Sequence, residues 1–133
     1  VGEDLVSGKI DRIEKNSDGT YSLYDYKTGK PTSEKQITQS GGKKNYYNQL
    51  CFYKYAYEKM TGNKVSQVGI IYVEDHAKSV YKTLTDSDMA YIENLIKDTY
   101  SKIKALKFNP IKEDKQGVCK TCVYKHLCKL DII

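Results

Sequence analysis

Branched apolar residues and polar ones interleave from Leu5 to Lys15, and the pattern breaks at Asn16-Ser17-Asp18-Gly19. It resumes from Thr20 to Lys27, which predicts two strands joined as a β-hairpin. Thr28 to Lys44 is polar and carries Gly29, Pro31, Gly41 and Gly42, as a long loop would. From Tyr46 the period changes to that of a helix running to about Met60, with Asn45 as N-cap, Thr61-Gly62 as stop, and Tyr46, Leu50, Tyr53, Tyr57 and Met60 as its apolar stripe. Val65 to Val73 is nearly all apolar, as a buried central strand is. Lys78 to Leu84 can add another strand after the turn at Glu74-Asp75. Thr85 and Asp88 have the spacing of a capping box, opening a helix to about Leu106 whose core face is Met89, Ile92, Leu95, Ile96, Ile103 and Leu106. Phe108-Asn109-Pro110 ends it. The order is strand, strand, helix, strand, strand, helix, which predicts an α/β domain around one mixed β-sheet flanked by helices.

Side chains alternate along a strand, so Asp25 and Lys27 share one face. With Ser17-Asp18-Gly19 as a three-residue turn, the hairpin register sets Asp11 opposite Asp25, with β-carbons roughly 5 Å apart. Two facing carboxylates repel unless a cation lies between them, and Mg²⁺ (or Mn²⁺) prefers such oxygens. Lys27 beside them could orient a water and stabilise charge on a phosphate, which together suit metal-assisted phosphodiester hydrolysis. An isolated D-x-K on a strand is most often plain surface. The matched second aspartate, set among Ile10, Ile13 and Leu23, shifts the balance towards a site.

The stretches Gly8-x-Ile10-Asp11-Arg12 and Asp25-Tyr26-Lys27-Thr28-Gly29 resemble the paired motifs of RecB/AddB-type nucleases in the PD-(D/E)XK superfamily. Gln49-Leu50-Cys51-Phe52-Tyr53 is similar to the Q-x-x-x-Y motif of the same branch, with Gln49 and Tyr53 one helical turn apart. The resemblance implies a restriction-endonuclease-like core with a C-terminal cysteine-rich tail. It implies that Asp11, Asp25 and the backbone carbonyl of Tyr26 bind the metal, that Lys27 is the catalytic lysine, and that Gln49 and Tyr53 face the active site. It further implies DNA as substrate, exonuclease action, and an ATP-dependent helicase domain or subunit as partner in recombination and repair. The chain has no ATP-binding P-loop of its own. On this reading residues 1–133 form one nuclease domain, truncated at its N-terminus before a helix that precedes the first strand, and residues 109–133 are its tail. The first residue is Val1 rather than methionine, in keeping with a piece of a longer protein.

Composition adds less. There are 22 basic and 17 acidic side chains, a formal charge of +5, which favours nucleic acid only weakly. Lys30, Lys35, Lys43 and Lys44 lie in the long loop, where they could meet phosphates or be solvated charge. His76 and His126 have no partner pattern that suggests acid–base work. Thirteen tyrosines against two phenylalanines and no tryptophan give a core with many hydroxyls to satisfy. No signal peptide or membrane span is visible.

Three of the four cysteines fall in the last fifteen residues. A secreted disulfide scaffold would spread them, so a metal or iron–sulfur site in a reducing, cytoplasmic setting fits better. The spacing of Cys119, Cys122 and Cys128 resembles that of the related nucleases, in which a fourth cysteine from before the core completes a 4Fe–4S cluster. Zn²⁺ held by the three cysteines and His126 is the chemical alternative. Cys51 lies about 200° around its helix from Gln49 and is expected to pack as a small apolar residue. Two other readings remain: a catalytically silent DNA-binding or scaffolding domain that keeps the nuclease fold, and a small zinc-bound interaction module.

Overall fold

The computed structural model describes residues 5–31, 46–107, 119 and 122–125. The chain falls into two compact units, residues 1–97 and 98–133. The first contains the sheet: β1 (Arg12–Lys15), β2 (Tyr21–Lys27), β3 (Val65–Tyr72) and β4 (Val80–Lys82), in that spatial order. Helix α1 (Tyr46–Thr61) connects β2 to β3, a short 3-10 turn (His76–Lys78) precedes β4, and α2 (Asp86–Lys104) follows it. The pairs β1–β2 and β3–β4 are antiparallel and β2–β3 is parallel, so the sheet is mixed as expected.

The hairpin forms through the loop Ser17-Asp18-Gly19. Gly19 takes a φ of 82°, the left-handed conformation that glycine adopts without strain. The Asn16 N–H donates to the Thr20 carbonyl at 2.8 Å, and the resulting register is Arg12 with Tyr24 and Ile13 with Leu23. The first strand is shorter than the Leu5–Lys15 pattern suggests. The ladder stops at Arg12 because the Asp11 carboxylate accepts the Tyr26 N–H at 3.0 Å, where a main-chain carbonyl would otherwise continue the pairing. Upstream, Gly8 lies against α1, where a β-carbon would come within 2.8 Å of the Phe52 ring.

The core lies between the sheet and the helices. Leu23, Val65, Val68, Ile70 and Tyr72 point from the central strands, and Leu50, Cys51 and Ile92 meet them from α1 and α2. The buried face of α1 is Tyr47, Leu50, Cys51, Tyr53 and Lys54, which shares Leu50 and Tyr53 with the expected stripe, and Tyr46 and Tyr57 pack against its edge. Met60 is 85 % exposed and Tyr46 and Tyr57 are only partly covered. The sequence disguises the stripe because it contains a lysine. Lys54 Nζ donates to the Val65 carbonyl at 2.6 Å and pairs with Glu58 at 3.2 Å, so its charge is compensated inside the fold.

Gly62, with a φ of 72°, closes α1 and donates to the Glu58 carbonyl. The capping box of α2 is formed: Thr85 N–H donates to Asp88 Oδ2 at 2.7 Å and Asp88 N–H to Thr85 Oγ1 at 3.4 Å. That helix ends at Lys104, slightly before the expected limit, in a Schellman turn. Leu106 adopts a φ of 51° there, and Lys107 N–H reaches back to the Lys102 carbonyl. Ile103 and Leu106 are exposed, so the core-facing stripe of α2 stops at Ile96. Ile13 is also exposed, since it lies on the edge strand. The predicted cap Asn45, most of the loop with Lys35, Lys43 and Lys44, and His126 and Cys128 of the tail lie outside the described residues.

Candidate functional site

Asp25 is the centre of the polar constellation. It sits near the carboxyl end of β2 and is 3 % exposed, although a carboxylate is among the most expensive groups to bury. What makes it tolerable is the set of groups that α1 and β2 aim at it. Oδ1 accepts the Gln49 amide N–H at 2.8 Å and the Tyr53 hydroxyl at 3.0 Å. Lys27, two residues along the same strand face, brings Nζ to 2.6 Å from Oδ2.

Gln49 is the hub of these contacts. Its Nε2 donates both to Asp25 and to the Tyr53 oxygen at 2.8 Å, while its Oε1 accepts from Lys27 Nζ at 3.3 Å. Only one orientation of the amide serves all three neighbours, because a lysine needs an acceptor and a carboxylate a donor. Burial raises the Tyr53 hydroxyl to a pKa of about 12, opposed by the Gln49 hydrogen bond and aided by the nearby Asp25. At neutral pH Tyr53 is therefore a protonated donor.

The two oxygens of Asp25 are treated differently. Lys27 is close to Oδ2 in distance, yet no donor is aligned with that atom, which is buried and lacks a hydrogen bond. The contact is an ion pair rather than a hydrogen bond, since a hydrogen bond weakens steeply off axis while an ion pair does not. Oδ2 is thus an oxygen with charge to share. Asp11, by contrast, is exposed and stands just outside the ladder, so it forms no cross-strand pair with Asp25. Its Oδ2 is engaged with the Tyr26 N–H.

Two carboxylates flank Tyr26, Asp11 through its bond from the Tyr26 N–H and Asp25 as the preceding residue, and they offer a set of oxygen donors. Such a set fits Mg²⁺ or Mn²⁺, ions that take few protein ligands and keep their waters. Among the described residues no group of three or more His, Cys, Asp or Glu side chains is gathered that could hold a metal ion. Asp11, Asp25 and Tyr26 would hold the ion, with solvent or substrate completing its shell. A divalent ion in such a place supplies a polarised water and neutralises phosphate charge.

One neighbour escaped the sequence reading. Tyr46 belongs to the expected core stripe, but its ring lies beneath the Lys27 ammonium, 4.8 Å from ring centroid to Nζ. The available signal was its spacing, since Tyr46, Gln49 and Tyr53 recur at helical intervals on one face. Cys51 is on the other side, fully buried, its thiol raised to about 11 by burial. Nearby, the Tyr47 hydroxyl donates to Asp88, and Lys82 lies 4.8 Å over the Tyr47 ring. Burial pushes Asp88 upward, but the Tyr47 and Thr85 hydrogen bonds and the Lys82 charge hold it below the usual carboxylate range. In the tail, Cys119 and Cys122 are partly buried.

The mixed sheet with polar side chains gathered at the end of a central strand defines an α/β protein with a restriction-endonuclease-like core. The family model of the PD-(D/E)XK nuclease superfamily matches residues 3–129, and the chain belongs to that superfamily. No curated protein matches its sequence. Among the described residues no helix is long and apolar enough to cross a membrane.

Proposed function

We propose that this chain is a DNA-cutting module of the RecB/AddB type, an Mg²⁺- or Mn²⁺-dependent exonuclease domain that works with an ATP-dependent helicase in cytoplasmic DNA recombination and repair. The observation that carries the reading is the burial of Asp25 with one oxygen held by Gln49 and Tyr53 and the other left without an aligned donor. Buried carboxylates gathered with a lysine and polar side chains at the end of a strand are the mark of functional sites.

In this reading Asp11 and Asp25 bind the ion together with the Tyr26 carbonyl. Lys27 orients the attacking water and stabilises charge on the phosphate, while Gln49 and Tyr53 hold Asp25 in place. Lysines of the loop after β2, Lys30 among them, contact phosphates without reading sequence. Residues 1–133 act as one nuclease domain. Cys119, Cys122 and Cys128 contribute to a 4Fe–4S cluster completed from elsewhere in the protein. The motif order and the superfamily membership support these assignments.

The test is cleavage of end-labelled linear DNA by the full chain with Mg²⁺ or Mn²⁺. Mononucleotide release that requires the ion and is lost in Asp25→Ala supports the proposal. Equal turnover by that variant, folded, would sink the site assignment. Iron and sulfide content of anaerobically purified protein tests the cluster, with zinc as the competing result.

A further inference from the structure

Asp25 Oδ2 is the oxygen best suited to a divalent ion, and it is the oxygen that Lys27 Nζ approaches to 2.6 Å. Both cations cannot use it at once. An Mg²⁺ ligand must come within about 2.1 Å of the ion, and an ammonium at hydrogen-bond range of the same oxygen crowds and repels it. Lys27 already has two further contacts that it can keep when it leaves this oxygen. Its ammonium touches the Gln49 carbonyl at 3.3 Å and the Tyr46 ring at 4.8 Å, and its side chain is 24 % exposed.

We propose that Lys27 is the resident counter-ion of Asp25 in the ion-free protein, vacating Oδ2 for a divalent ion and settling closer onto the berth it already touches, the Tyr46 ring and the Gln49 carbonyl. The inference rests on the nuclease reading in one respect only, that Asp25 is an ion ligand. It explains how a carboxylate that is 3 % exposed stays compensated when no ion is bound, since an uncompensated buried charge is strongly destabilising. It also gives Tyr46 a positioning role. The ring keeps the displaced ammonium beside the site, where an aliphatic residue would let it swing into solvent.

Mn²⁺ binding by calorimetry to the full chain is the primary test. Lys27→Met keeps the length of the side chain and removes the competitor, so it should bind the ion roughly tenfold more tightly than wild type, while Asp25→Ala binds none. Mn²⁺ should also raise the Tm of Lys27→Met more than that of wild type. A second measurement needs no altered core. In ¹³C-lysine-labelled wild type, saturation with Mg²⁺ should move the Lys27 ε-methylene signal upfield, towards the Tyr46 ring current, and Tyr46→Leu should abolish that movement.

Equal or weaker binding by a folded Lys27→Met, or an unmoved Lys27 signal at saturating Mg²⁺, overturns the counter-ion role while leaving Asp25 as a ligand. Should Lys27→Met fail to fold, the wild-type signal decides. Undiminished binding by Asp25→Ala, or no binding by either wild type or Lys27→Met, overturns this inference and the ion assignment together.

Discussion

Two polar clusters sit on β2, one at each end of the strand, and they are built on opposite rules. At the hairpin end Asn16, Thr20, Ser22 and Ser66, all uncharged, hydrogen-bond to one another at 2.9–3.2 Å, and the one charge they touch is the exposed Asp18 carboxylate, which accepts twice from Thr20. Every hydroxyl there has a partner and the groups belong to three segments of chain, so the cluster ties the turn to β3. At the other end Asp25, Lys27, Gln49 and Tyr53 include two opposite charges, and one carboxylate oxygen is left without an aligned donor. A fully satisfied neutral network gains stability and asks nothing of a ligand. A charged one whose second oxygen is met only by a lysine ion pair is open to exchange that partner for a ligand.

The comparison breaks most readily at Asp25. Asp25→Asn preserves shape and removes the charge; cleavage should fall by roughly a thousandfold with the circular dichroism spectrum unchanged. Loss of structure in place of activity would mean that the carboxylate is itself a structural group. Gln49→Ala removes the hub that orients Asp25 and Lys27, and the cleavage rate should drop about ten- to a hundredfold, as for other groups that position ligands. Steady-state rates with Mg²⁺ test it, and an unaffected rate would reduce Gln49 to a packing residue.

Asn16→Ala sharpens the contrast from the other side. It should cost about 2 kcal/mol in urea denaturation by stranding part-buried hydroxyls, while cleavage stays at the wild-type level. A parallel loss of activity per folded molecule would show that the two ends are coupled.

The smallest effect is expected at Tyr53→Phe, about 1.5 kcal/mol near neutral pH for one hydrogen bond to a carboxylate. Its pH dependence has a definite sign. The Tyr53 hydroxyl titrates near 10 when unfolded and near 12 when folded, so the native state holds the proton more tightly. The stabilisation is complete below pH 10 and is lost as the pH rises through 12. The stability margin of wild type over Tyr53→Phe should accordingly shrink across that interval, and a constant margin would contradict the burial of the hydroxyl.

Much of this was legible from residue order. The Ser17-Asp18-Gly19 loop and its register, the helix between the second and third strands, the apolar run of β3 and the Thr85–Asp88 capping box all form as local chemistry predicts. Each depends on contacts a few residues apart or on a period along one element. The face of α1 was harder to read, because Lys54 in the buried stripe looks like a surface residue until Glu58 and the Val65 carbonyl are placed beside it. The end of β1 was likewise invisible, since only the folded hairpin brings the Asp11 carboxylate to the Tyr26 N–H and stops the ladder there.

The sequence by itself determined which residue types stand on which strand face and helix face, because alternation and helical period are properties of the local backbone. That suffices to put Asp25 with Lys27 and Gln49 with Tyr53. Only the tertiary structure decided that the two pairs meet, that Tyr46 lies under Lys27 while it packs against the core, and that one oxygen of Asp25 is met by an ion pair alone. Those outcomes depend on how α1 packs against β2, a matter of distances between segments that no local pattern encodes.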